Sequence, residues 1–130
     1  MARQVIIPKN SPPPLGPYSP ATRAGDTIYV GGVLPTDAEG KLVGDGDVAA
    51  QTRHELELIK SVLEAADASL DDVVFNQVLL RDMSDYAAMN AVYRTYFPKD
   101  PPARFCIRAD LVRPEFLVEI IATAHVSRQG

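Results

Sequence analysis

PARFCIRADLVRPEFLVEIIATAH, residues 102–125, sets the architecture of this chain. It holds two runs of alternating character, separated by Val112, Arg113, Pro114 and Glu115. Successive side chains of a strand point to opposite faces. In the first run Ala103, Phe105, Ile107 and Ala109 therefore share one side, and Arg104, Cys106 and Arg108 the other. In the second, Val118, Ile120, Ala122, Ala124 and Val126 lie opposite Glu119, Ile121, Thr123 and His125. Each strand offers an apolar face to a core and a second face that carries ionisable groups. Pairing of the two strands is expected to put Arg104 and Glu119 on one face, beside Cys106 and Ile121. A cation and a carboxylate in such a partly dry crevice make a candidate site.

Upstream of this stretch, Pro98 ends a helix that begins near Ser84 and is expected to bury Tyr86, Met89, Tyr93 and Phe97. Val73 to Arg81, rich in valine and leucine, reads as a strand. Before it, Ala49, Leu56, Ile59, Leu63 and Ala66 recur at helical spacing, with Arg53, Glu57, Lys60 and Glu64 outside. Asp47 caps the start of this helix, and Asp67 takes the left-handed position that ends it. Gly40, Gly44 and Gly46, among acids, make a turn-rich connection. Thr27 to Leu34 is another strand, and the Gly31-Gly32 pair inside it marks a bulge or a close approach by a backbone or ligand. Pro12, Pro13, Pro14, Pro17 and Pro20 make the preceding segment a loop in which Tyr18 is restrained. Val5, Ile6 and Ile7 form a short edge strand stopped by Pro8.

The order is strand, strand, helix, strand, helix, strand, strand, in one domain over residues 1–130. Two helices cover one face of a single mixed sheet, which gives a two-layer α+β sandwich. The opposite face, with Arg104, Cys106, Glu119 and Ile121, is then bare in a monomer. A mixed polar and apolar face of that kind asks for a partner.

Composition narrows the functions open to the chain. Hydrophobic residues make up 46% and charged residues 23%, as in ordinary globular proteins, and the net charge is -4. That balance gives no basic footprint for nucleic acid. No apolar run reaches the length of a membrane span, and no signal-peptide apolar region precedes Pro8. One cysteine forms no internal disulfide, which agrees with a cytoplasmic location. His54 and His125 have no metal-ligand spacing, and neither a phosphate loop nor a dinucleotide fingerprint is present, so no metal or cofactor is expected.

The sequence resembles the Rid (reactive intermediate deaminase, YjgF-like) family, small enzymes that hydrolyse enamines and imines. The resemblance rests on Pro102-Ala103-Arg104-Phe105-Cys106-Ile107 followed by Leu117-Val118-Glu119-Ile120, with Gly16-Pro17-Tyr18 and Asn90. It is similar in particular to the 3-aminoacrylate deaminases of the pyrimidine-utilisation (Rut) pathway. Gln51-Thr52-Arg53-His54, Tyr86-Ala87-Ala88-Met89-Asn90 and Leu111-Val112-Arg113-Pro114 carry that second likeness. The resemblance implies a chorismate-mutase-like fold in homotrimers, packed sheet against sheet, with active sites between subunits.

The residues themselves leave two roles open for Arg104 and Glu119: an ion pair with each other, or a site for a small acid. The resemblance implies the second. Arg104 would grip the substrate carboxylate through its planar fork, and Glu119 would orient and deprotonate the attacking water. Tyr18 would close over the ligand, Asn90 would hydrogen-bond from the second helix, and the backbone of Cys106 would line the site. Without an adjacent base, the Cys106 thiol reads as half-buried core and not as a nucleophile. Two departures stand out: Ile121 occupies the position of a second acid found in many family members, and Gly31 that of a common serine. The implied reactions are hydrolysis of 3-aminoacrylate, the more general hydrolysis of 2-imino and 2-enamino acids, or simple binding of small acids or partner proteins.

Overall fold

The computed structural model describes residues 3–126; the expected ends of the domain, 1–2 and 127–130, lie outside them. In chain order the elements are β1 (Gln4–Ile6), β2 (Ala21–Ala24), β3 (Thr27–Val33), α1 (Val48–Ala65), β4 (Val73–Leu80), α2 (Tyr86–Tyr96), β5 (Ala103–Arg108) and β6 (Val118–His125). The strands form one sheet in the order β1-β2-β3-β6-β4-β5. Only β4 and β5 pair in parallel; the other ladders are antiparallel. Both helices lie on one face, so the two-layer α+β architecture holds.

Alternation in β6 works as expected. Val118, Ile120, Ala122 and Ala124 are buried beside Ile28 and Val30 of β3 and Val78 and Leu80 of β4. Against this layer pack Leu56, Ile59 and Leu63 of α1 and Met89, Val92 and Tyr93 of α2. Each fully buried leucine or isoleucine contributes about 1.5–3 kcal/mol, and truncating Ile120 to alanine would cost about 2–5 kcal/mol. The helix ends are chemically specified. Asp47 accepts a hydrogen bond from the Ala50 N–H at 3.1 Å, while Asp67 adopts φ 57° and the Ala68 N–H reaches back to Leu63 O at 2.8 Å.

Four expectations change. The strand β2 is absent from the sequence reading: Ala21–Ala24 is short and lacks alternation, yet Gly25-Asp26 turns it into a hairpin with β3. β5 and β6 are not neighbours, because β4 lies between them. In β5 the faces are reversed: Phe105 and Ile107 are 41% and 49% exposed on the open side, while Arg104 and Cys106 turn to the helical layer. The reason lies in what covers this edge strand. α2 presents polar tips over it, which suit the stem and head of an arginine, while Phe105 stacks edge-on against Phe75 at 5.8 Å. Finally, Tyr86 is 42% exposed and not buried.

Candidate functional site

Two groups of candidate residues exist, one on each face of the sheet. On the open face, Val30 pairs with Ala122 but Val33 with Ile120, so β3 carries one extra residue at Gly31-Gly32. This bulge re-aims the backbone beside Glu119. A Cβ built on Gly32 would collide with Glu119 Oε2 and lie 3.0 Å from its Cδ; glycine is what lets the carboxylate rest against the strand. At Gly31 the same Cβ would meet only Ser19 O and Pro20 O at 3.5 Å, an ordinary contact. The close approach foreseen for the glycine pair thus belongs to Gly32, while Gly31 lines the cleft.

The proline-rich loop forms the other wall. The Leu15 N–H donates to the Tyr18 hydroxyl oxygen at 3.0 Å, so the phenol is held by acceptance and keeps its own proton to donate. Leu15, Tyr18, Gly31, Gly32, Val112 and Glu119 enclose a cleft of about 350 Å³. Glu119 is half-buried, and burial raises its carboxyl above the ordinary glutamate range. A carboxylate of that kind is a better base and, once protonated, a ready donor.

On the helical face, Arg104 donates from one terminal nitrogen to Asn90 Oδ1 at 2.7 Å and from the other to the Tyr86 hydroxyl at 3.0 Å. Its guanidinium carbon lies 4.8 Å from the Tyr93 ring centroid and 5.7 Å from that of Tyr86. Tyr93 is held in turn by the Asn76 amide, which donates to its hydroxyl at 2.8 Å. Cys106 follows on the same face, its thiol pushed up by burial against the opposing pull of Arg104, and so it stays protonated. The sequence reading missed Tyr86 and Tyr93 as partners of Arg104. With Asn90 they stand at i, i+4 and i+7 of one helix face, which was the available signal.

The two groups do not meet within the chain. Arg104 registers with Asn76 and so with Ala122 on the helical face, whereas Glu119 registers with Leu79 on the open face. The expected Arg104–Glu119 juxtaposition, whether as an ion pair or as one crevice, is therefore absent in a single copy. Cys106 and Asn90 stay with Arg104; Tyr18 and Gly31 stay with Glu119.

Comparison with known proteins places this geometry. Residues 8–126 match the family described as Endoribonuclease L-PSP. The chain is 52% identical over 126 residues to 3-aminoacrylate deaminase RutC of Acinetobacter baylyi, covering 97% of this chain and all (100%) of that one. Among solved structures it resembles E. coli TdcF with bound serine, with a TM-score of 0.87, 28% identity, and 95% and 99% of the two chains covered. The E. coli YjgF gene product superposes with a TM-score of 0.84 at 31% identity over 94% and 98% of the chains.

Proposed function

Given that this chain belongs to the Rid (YjgF-like, endoribonuclease L-PSP) family, we propose that it hydrolyses 3-aminoacrylate to malonic semialdehyde and ammonia in pyrimidine (uracil) degradation. The observation that carries this reading is the half-buried Glu119 carboxylate, seated against Gly32 and open to a cleft walled by Tyr18. The enamine first moves a proton from nitrogen to carbon and becomes an imine. Water then adds to the imine carbon, its oxygen forming the new C–O bond while Glu119 takes its proton. That proton passes to the imine nitrogen to give the carbinolamine, whose hydroxyl proton then moves by way of Glu119 to the amine as the C–N bond breaks, so that ammonia leaves and the aldehyde carbonyl remains. These steps need positioning and proton transfer alone, which a carboxylate of raised proton affinity and a phenol supply.

Substrate capture falls to Arg104, whose guanidinium is fixed by Asn90 and Tyr86 through one N–H of each terminal nitrogen, with the second N–H of each left for a carboxylate. Since Arg104 and Glu119 face opposite sides of the sheet, we assign the complete site to two copies, Glu119 of one and Arg104 of the next, in a homotrimer. The open face supports association: Tyr29, Phe105 and Ile107 are 52%, 41% and 49% exposed there. The serine held by TdcF, which carries a carboxylate and a nitrogen, agrees with a small amino-acid-like ligand. Among the described residues no helix is long and apolar enough to cross a membrane. With the free thiol of Cys106, that favours work in the cytoplasm.

One observation favours a second reading, a broader hydrolysis of 2-imino and 2-enamino acids: the serine held by TdcF carries its nitrogen on the carbon beside the carboxylate, as those substrates do. Freshly generated 3-aminoacrylate and 2-aminoacrylate, assayed side by side for ammonia release, test both. The first reading expects faster release from 3-aminoacrylate, and the second from 2-aminoacrylate. Release from neither above the buffer rate would reduce the protein to a binder of small acids.

A further inference from the structure

Glu55 of α1 has 0% of its surface exposed, and neither carboxyl oxygen has a hydrogen-bond partner. A charged residue at such a position is rare unless paired. Gln51, one turn earlier, donates to Glu115 O at 3.1 Å and accepts from the Leu117 N–H at 2.8 Å. Leu58, further on, lines the small cavity behind Gly31 and Gly32, so α1 advances in the same sense as β6. One helical turn rises about 5.4 Å and two strand residues about 6.6 Å. Glu55 therefore comes beneath β6 at about the level of Glu119, beside the stretch of β3 that holds the Gly31-Gly32 bulge.

We propose that Glu55 is a positioning residue of the Glu119 site: a second carboxyl, buried beneath the Gly31-Gly32 bulge, that keeps its proton and so leaves the Glu55/Glu119 pair a single negative charge, borne by Glu119 toward the cleft. The layer around Glu55 offers it no counter-charge. Among the described residues Glu119 is the one charge that acts on it. β3 presents Ile28, Val30 and Val33 to this layer, and α2 presents Met89, Val92 and Tyr93, whose hydroxyl accepts from the Asn76 amide. On α1 itself, Gln51 and Thr52 are neutral, and His54 turns away to Thr36 O. Burial and the like charge of Glu119 both hold the Glu55 carboxyl well above its ordinary range. Two carboxyls whose environments separate their proton affinities divide the work: one is a base, the other a fixed neutral group. When Glu55 finally ionises, a second like charge appears behind the base.

This inference rests on the deaminase reading for its kinetic consequence, but its physical content is tested without it. Carboxyl-carbon NMR of the full chain labelled at glutamate should show Glu55 titrating above Glu119. In Glu119→Gln the Glu55 midpoint should fall by on the order of one pH unit, because the charge that opposed its ionisation is gone. In kinetics, kcat/KM of the parent should fall at low pH as Glu119 is protonated and at high pH as Glu55 ionises. Glu55→Gln, of the same shape, should keep the acid limb and lose the alkaline one. Glu55→Leu is the second variant, and it should fold and show the same loss. A Glu55 midpoint unchanged in Glu119→Gln, or an alkaline limb intact in both Glu55 variants, would overturn the proposal. Absence of ammonia release would sink the deaminase reading alone, and the NMR titration would still decide the role of Glu55.

Discussion

A methyl group added at Gly32 would strike Glu119 Oε2, the far end of a flexible side chain and not fixed backbone. Gly32→Ala is therefore predicted to leave thermal stability nearly unchanged while displacing Glu119, the proposed base, with turnover down about 10²-fold. Gly31→Ser makes the contrasting case, since its Cβ has ordinary 3.5 Å contacts; activity at least equal to the parent is expected, measured in the same ammonia assay. Arg104 holds Asn90 and Tyr86 with two different nitrogens, which a single ammonium cannot reproduce in that geometry. Arg104→Lys is predicted to keep the fold and lose about 1.5–3 kcal/mol of substrate affinity, seen as a raised KM. Kinetics like the parent's would make Arg104 structural.

α1 carries a cost that shows in how stability depends on pH. Glu55 and Glu119 both hold their protons to higher pH in the folded chain than the ordinary glutamate value. Over the window above that value the folded state binds more protons than the unfolded state, so stability is full at lower pH and falls as pH rises toward the folded midpoints. The Glu55 contribution has a limiting slope of about 1.4 kcal/mol per pH unit. Glu55→Gln should flatten that fall and raise Tm at neutral pH; an equal slope in the variant would mean Glu55 is already ionised. The elements themselves were largely legible. Asp47, Asp67 and Pro98 mark helix ends through local chemistry, and β6 declares its core face through unbroken alternation. β5 was not legible in the same way, because Phe105 and Ile107 on one side and Arg104 and Cys106 on the other fit either face until α2 is placed. β2 was hidden by its length, although Gly25-Asp26 signalled the hairpin. Glu55 gave no signal at all, since a glutamate in an amphipathic helix reads as a surface residue.

The bare sheet face, the separation of Arg104 from Glu119 and the cleft beside Glu119 are what the proposed assembly rests on, one in which neighbouring copies would complete each other's sites. Light scattering on a sizing column is expected to give a trimer; a monomer at micromolar concentration would remove the shared site. Complementation tests the sharing itself. Arg104→Met and Glu119→Gln chains, each inactive alone, are mixed in equal amounts, unfolded and refolded together, and assayed for ammonia release from 3-aminoacrylate. In a cyclic assembly of randomly mixed copies, about a quarter of the sites pair an intact Glu119 with an intact Arg104 of the neighbour, and about a quarter of parental activity should return. If the mixture is no more active than the two variants measured separately, the two residues do not act across copies.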